Sequence, residues 1–384
     1  MTTVTTAPPF ADAPRPRAWA SGLGEFAAVG GLTPFLYPLS WILRKAFDLE
    51  PTEYIISFAM FAAAFVINDP HFAVTYFLFY KNIRARAFGN EFSATQKIRY
   101  WLAGFVAPVG LIAWGISALV LRSAYSMGLM IQLMFFLVGW HYVKQGFGVF
   151  SVLSARRGVR FDKAERWAIL GHCYAGWMYA WATPRDIGHT SSEKGIWYVT
   201  LPHPRGLDQV ATVLFLATIP PLVWVFVSKW KRDGRLPILT PLTALLCSVW
   251  PWLIFSNADP LLLYMIPALH SIQYLYFVWL LEGNKARERE GPPHFERSAT
   301  SRLLGLAVSA LALGWFFFHI GPEIFDTLIG SRLAKGELDP IGPTPCFAAL
   351  FAFVNIHHYC MDAVIWRREN PETRYLQVQR NRPA

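Results

Sequence analysis

The chain has 384 residues, of which 54% are apolar and 16% charged, and its formal net charge is +10. An ordinary soluble domain carries about 25% charged residues, and sixteen tryptophans with thirty phenylalanines are more than a water-facing surface can hide. The composition therefore excludes an ordinary soluble domain and points to a lipid bilayer as the solvent.

In chain order, residues 1–22 hold Pro8, Pro9, Pro14 and Pro16 and read as a disordered tail, without the charged start and cleavage site of a signal peptide. From 23 to 368 the sequence reads as a single transmembrane helical domain. Apolar runs of roughly 20 residues suffice to cross ~30 Å of hydrocarbon. They predict spans at 26–46, 54–80, 100–121, 125–154, 164–183, 209–229, 236–256, 259–282, 302–321 and 341–366. The first is interrupted by Gly30, Gly31, Pro34 and Pro38. Residues 369–384 form a basic C-terminal tail. The expected fold is thus an all-α polytopic bundle of about ten spans, with no internal repeat.

Ten crossings with both termini cytoplasmic put 26 of the 35 Lys and Arg residues on the inner side, as the positive-inside rule requires. The positive charge then reflects topology and attraction to anionic lipid, and nothing in it calls for nucleic acid. The four cysteines form no Cys-x-x-Cys pair, so no disulfide is expected. Gly146-Phe147-Gly148 lies in a span and reads as close helix packing, not as a nucleotide loop.

Histidine is the informative residue. His189, His203 and His294 fall in loops and His319 near the outer end of its span, whereas His71, His141, His172, His270, His357 and His358 fall inside the membrane. At 1.5 Å per residue, these six occupy a layer roughly 8 Å deep. Polar groups at such depth are costly and usually mark function. A common depth lets several helices present imidazole to one centre, a metal or haem site.

The neighbours fit a site. Pro70 in Asn68-Asp69-Pro70-His71 frees backbone carbonyls. Gln145 lies one turn after His141, Gln273 and Tyr274 share the face of His270, and Asn355, His358 and Asp362 share another face. Asp69, Gln145, Gln273, Asn355 and Asp362 are candidates to orient ligating histidines. His172 has small neighbours and suits a core role as well as a supporting one. His357 and His358 point about 100° apart, so both cannot bind one ion without distortion. Lys144 can be a counter-charge, can snorkel, or can be unprotonated.

Asp69-Pro70-His71, Trp140-His141-Tyr142, His270-Ser271-Ile272-Gln273-Tyr274 running on to Phe277-Val278-Trp279, and His357-His358 followed by Asp362 resemble the histidine motifs of bacterial membrane β-carotene dioxygenases of the Brp/Blh type. The resemblance covers about fifty residues scattered from 69 to 366. It implies an all-helical fold in the bacterial inner membrane, a non-haem Fe(II) held by histidines, and O₂-dependent cleavage of a polyene. The sequence also departs from that pattern: Tyr274 stands where the family has a further histidine, and Thr75 where it has an acid.

Three or four neutral imidazoles without thiolates suit Fe(II), Cu or Zn. The expected ligands are His71, His141, His270 and His358, with His357 in reserve, and Tyr274 and Asp362 are the expected catalytic groups. Such a site would oxidise a hydrophobic substrate admitted from the bilayer, with a separate electron donor where electrons are needed. The rival readings are a haem protein and a transporter for protons or metal ions.

Overall fold

The computed structural model describes residues 18–47, 49–90, 92–182, 190–193, 196–199, 202–234, 239–256, 260–330 and 344–376. They form α1 (Ala18–Phe26), α2 (Thr33–Ala46), α3 (Leu49–Ala63), α4 (Asp69–Tyr80), α5 (Ile83–Phe88), α6 (Ala94–Trp101), α7 (Ala107–Val120), α8 (Ala124–Arg156), α9 (Lys163–Ala182), α10 (Leu207–Asp233), α11 (Leu239–Val249), α12 (Pro260–Glu290), α13 (Ala299–Trp315), α14 (Gly321–Gly330) and α15 (Pro345–Ile365). Among the described residues the only strands are a short antiparallel hairpin, β1 (Thr190–Glu193) with β2 (Ile196–Val199).

Five wide π-helical turns extend the helices, four of them between consecutive helices (Ala27–Gly31, Ala64–Asn68, Leu102–Val106 and Phe316–Ile320) and one at the end of α11 (Trp250–Ile254). Proline explains four of them, because a residue without N–H leaves the carbonyl four positions earlier without its donor and crowds it. For Pro34, Pro70, Pro108 and Pro322 those carbonyls belong to Gly30, Val66, Gly104 and Phe318, each inside the preceding wide turn. Two of the released carbonyls find other donors. The Tyr80 hydroxyl donates to Gly104 at 2.9 Å, and the Cys247 thiol donates to Gly30 at 3.4 Å.

Six helical runs are long and apolar enough to cross a membrane: Glu53–Tyr80, Ala94–Val120, Ala124–Arg156, Leu207–Asp233, Ala299–Ile329 and Pro345–Ile365. Gly22–Gly31 with Thr33–Ala46, bent by 66°, makes a seventh if the pair is one span. All ten predicted segments are mainly helical where they are described, but three of them are not among these runs. Leu239–Ile254 is too short. α9, with Lys163, Glu165 and Arg166 at its start, is too polar, and α12 is not among the six.

α15 is the central helix, with 67% of its apolar window buried against 17% for Ala299–Ile329. It packs on α7 and α8 through Ala348, Ala352 and Ile356, and on α4 and α12 through Met361 and Val364. Small residues set the closest approaches. A Cβ on Gly146 would lie 2.2 Å from Ser248 Oγ of α11, and one on Gly314 would lie 2.6 Å from the Asp69 carbonyl, so α8 meets α11 and α13 meets α4 at backbone distance.

Ion pairs tie together segments predicted to share a side: Glu25 with Arg157, Glu165 with Arg232 at 2.7 Å, and Glu372 with both Lys285 and Arg86. Two predicted boundaries move. α1 begins at Ala18, inside the segment expected to be disordered, while residues 1–17 lie outside the described residues. The basic tail expected from 369 starts later, because Pro371–Leu376 forms a 3-10 turn whose Tyr375 and Leu376 pack against Phe277 and Leu281 of α12. Residues 377–384 and His189 also lie outside the described residues.

Candidate metal centre

Four helices bring four histidines together: His71 from α4, His141 from α8, His270 from α12 and His358 from α15. All four are buried. His71, His141 and His358 offer ring nitrogens that lie within 4.8 Å of one another. His270 joins them through His141, whose Nε2 lies 3.1 Å from the Nε2 of His270. Asp362, one turn after His358, places Oδ2 3.3 Å from His358 Nε2 and 3.7 Å from His141 Nε2.

These atoms face one another without satisfying one another. His71 Nε2, His270 Nδ1, both ring nitrogens of His358 and Asp362 Oδ2 are buried with no hydrogen-bond partner. Leaving a buried polar atom unpaired costs about 1–3 kcal/mol. The two nitrogens of an imidazole point to opposite sides of the ring, so one cation can meet three of these atoms: His71 Nε2, one nitrogen of His358 and Asp362 Oδ2, which unpaired cost about 3–9 kcal/mol together. A shared cation relieves that cost, and the spacing fits one. Metal–nitrogen bonds of about 2.1 Å put neighbouring ligand atoms about 3.0 Å apart in an octahedron and about 3.4 Å apart in a tetrahedron. The separations of 3.1 and 3.3 Å lie on that scale, and 3.7 Å lies a little beyond it.

The surroundings hold the donors in a ligating state. The Ser271 hydroxyl donates to Asn68 Oδ1 at 3.1 Å and lies 3.2 Å from His71 Nδ1. A hydroxyl has one proton, so His71 must donate from Nδ1, and its Nε2 keeps the lone pair that faces the cluster. On the carboxylate, Asp362 Oδ1 accepts from the Tyr274 hydroxyl at 2.8 Å and from Trp366 Nε1 at 3.2 Å, which leaves Oδ2 for the histidines. Thr75 Oγ1 stands 2.6 Å from the Tyr274 hydroxyl. The Thr75 hydroxyl also donates to the His71 carbonyl at 3.3 Å, which ties this pair back to the α4 backbone. Aromatic rings wall the set: Tyr142 lies against His270 and Tyr359 against His141, with ring centroids 4.2 and 4.8 Å apart.

Compared with protein-family models, with curated proteins and with solved structures, the chain matches none of them.

The remaining residues singled out in the sequence are placed elsewhere. His357 points away from the cluster, and its ring nitrogens are taken by the Tyr76 hydroxyl and the Ala103 carbonyl, each at 3.0 Å. His172 meets Thr218 of α10 at 3.0 Å and stacks on Phe215 and Trp250, so it belongs to a different packing unit. Asp69 pairs with His319, 2.8 Å away, and not with a cluster histidine. Gln145 donates to the His270 carbonyl at 3.2 Å and to Gln273 at 2.9 Å, and Gln273 donates to the Val29 carbonyl at 2.9 Å. This amide chain fixes the α12 backbone and touches no imidazole. Asn355 donates to the Phe351 carbonyl and accepts from Tyr359, the ring against His141.

Sequence reasoning missed Ser271 and Trp366. Trp366 carried a signal, because it lies one turn after Asp362 and on the same face. Ser271 carried none, since it follows His270 directly and serves His71 on another helix.

Proposed function

We propose that the chain is an integral-membrane, metal-dependent oxidoreductase acting on a hydrophobic substrate such as a polyene or a lipid. The observation that supports this reading is the buried, convergent set of four imidazoles and one carboxylate, in which His71 Nε2, a nitrogen of His358 and Asp362 Oδ2 have no partner. A nitrogen- and oxygen-donor set without thiolate suits Fe(II) best, with Cu or Zn as the other candidates. Bound Fe(II) would supply the activation of O₂. His71, His141, His270, His358 and Asp362 would hold the ion, and Ser271 and Trp366 would orient two of them. Thr75, Tyr274 and Asp362 form a line of hydrogen bonds that can carry a proton to Asp362 Oδ1. Tyr142 and Tyr359 help keep water out.

Four motifs of this chain resemble those of membrane β-carotene dioxygenases, which supports a polyene as the first substrate to screen. A desaturase or hydroxylase reaction would draw on a separate electron donor. Ten spans, cytoplasmic termini and a bacterial inner membrane belong to the same proposal, and the ion pairs between predicted cytoplasmic segments support the topology. A haem fits poorly, since 3.1 Å between the His141 and His270 nitrogens leaves no room for a macrocycle between them. Transport of protons or metal ions is the second reading, favoured by the Asp69–His319 pair, which carries polar groups beyond the cluster.

Elemental analysis with a visible spectrum, on detergent-purified protein prepared without chelators, tests the proposal beside a His71→Ala, His270→Ala double variant. Near-stoichiometric iron without a haem band, lost in the variant, is expected, together with O₂ consumption when polyenes are added to the iron-bearing protein. A metal-free, colourless wild type would overturn it.

A further inference from the structure

A groove of about 450 Å³ runs between α4 and α13, lined by Tyr76, Phe77, Tyr80, Gly305, Leu306 and Ser309 and closed at one end by Lys81. It continues into a smaller hollow of about 110 Å³ that shares Lys81 and Leu306 and adds Glu282, Arg302 and Leu303. Both walls belong to runs long and apolar enough to span a membrane. Leu304 and Val308 flank the groove on α13 and are 63% and 57% exposed, so among the described residues nothing covers it and it opens toward hydrocarbon. Gly305 keeps it open, because a Cβ there would meet nothing within 4 Å.

The groove is therefore apolar along its length and charged at one end. That end carries a surplus of positive charge. Glu282 is already 3.6 Å from Lys285, and Arg302 pairs with Glu296 at 2.6 Å, whereas the side chain of Lys81 makes no hydrogen bond or ion pair among the described residues. A ligand with a hydrocarbon chain and a negative head matches both parts. We propose that this groove binds an anionic phospholipid, with its phosphate against Lys81 and Arg302 and one acyl chain lying along Tyr76, Leu306 and Ser309. Attraction to an anionic head is worth about 1 kcal/mol per basic residue near the surface, roughly fivefold in affinity. The proposal does not depend on the metal centre. It does give Tyr76, whose hydroxyl meets His357 at 3.0 Å, a place between the bound lipid and α15.

Native mass spectrometry of the full-length protein in detergent, titrated with phosphatidylglycerol and with phosphatidylcholine of identical chains, tests it. Wild type should prefer phosphatidylglycerol. Lys81→Glu should weaken that lipid about tenfold and erase the preference, while Gly305→Phe should weaken both lipids. Phosphatidylglycerol carrying a photoreactive acyl chain gives a second measurement on the unaltered protein, and it should label the peptide containing 305–309. Equal binding of the two lipids by wild type, displacement of lipid by inorganic phosphate alone, or labelling that avoids 305–309 would each overturn the proposal.

Discussion

His357 and His358 are neighbours on α15 at one depth of the bundle, yet they have opposite surroundings. The ring nitrogens of His357 both have partners, Tyr76 and Ala103, whereas neither nitrogen of His358 has one. His172 differs in place and not in pairing: its Nδ1 meets Thr218 and its Nε2 is unpartnered, but it stacks on Phe215 and Trp250, outside the cluster. Depth in the bilayer alone does not make a histidine a ligand. What distinguishes a ligand is a lone pair held free and aimed at others, while the second nitrogen, as in His71, is occupied.

That contrast breaks most visibly at the carboxylate. Asp362→Ala should lower metal affinity between 10- and 100-fold, read by competition with a chelator of known strength. Affinity equal to wild type would remove Asp362 from the ion's surroundings. Ser271→Ala should fall near the lower end of that range, because His71 loses the acceptor that fixes its tautomer. His357→Phe sharpens the other side of the comparison. Bound metal should be unchanged, while unfolding should become easier by about 1–3 kcal/mol, since Tyr76 and the Ala103 carbonyl lose their partner.

The smallest effect is expected far from the cluster, at the strap formed by Pro371–Leu376. Burial alone would raise the Glu372 carboxyl, but the Lys285 hydrogen bond and the charges of Lys285, Arg86 and Lys81 together hold it below the usual range. A carboxyl lowered in the folded state contributes stability above its unfolded value of about 4.3, and loses it as pH falls through the folded value. Thermal midpoints measured downward from pH 6 should therefore drop below about pH 4 in wild type, and drop less in Glu372→Gln.

The membrane class of the chain was legible in its composition; helices do widen before Pro34, Pro70, Pro108 and Pro322, but Pro38, Pro220, Pro221 and Pro267 sit inside helices that do not, so proline alone did not mark those places. The span count was less legible, because Lys163, Glu165 and Arg166 make the start of α9 too polar and Leu239–Ile254 is short for a crossing. The depth of the histidines could be counted along each helix, but the direction each one faces could not. The 100° turn between successive helical residues forecasts that His357 and His358 diverge. Which of them faces inward depends on how α15 is rotated by the packing of Ala348, Ala352 and Met361. Likewise Ser271 reaches His71 across 200 positions of chain, and no local pattern marks that meeting.

The most direct measurement compares the metal content of two double variants purified side by side. His71→Ala, His358→Ala removes two of the convergent imidazoles, and His172→Ala, His357→Ala removes the two that lie outside the cluster. The first pair should abolish bound metal, while the second should retain the wild-type amount in whatever protein folds. Equal loss from both pairs, or no loss from the first, would contradict it.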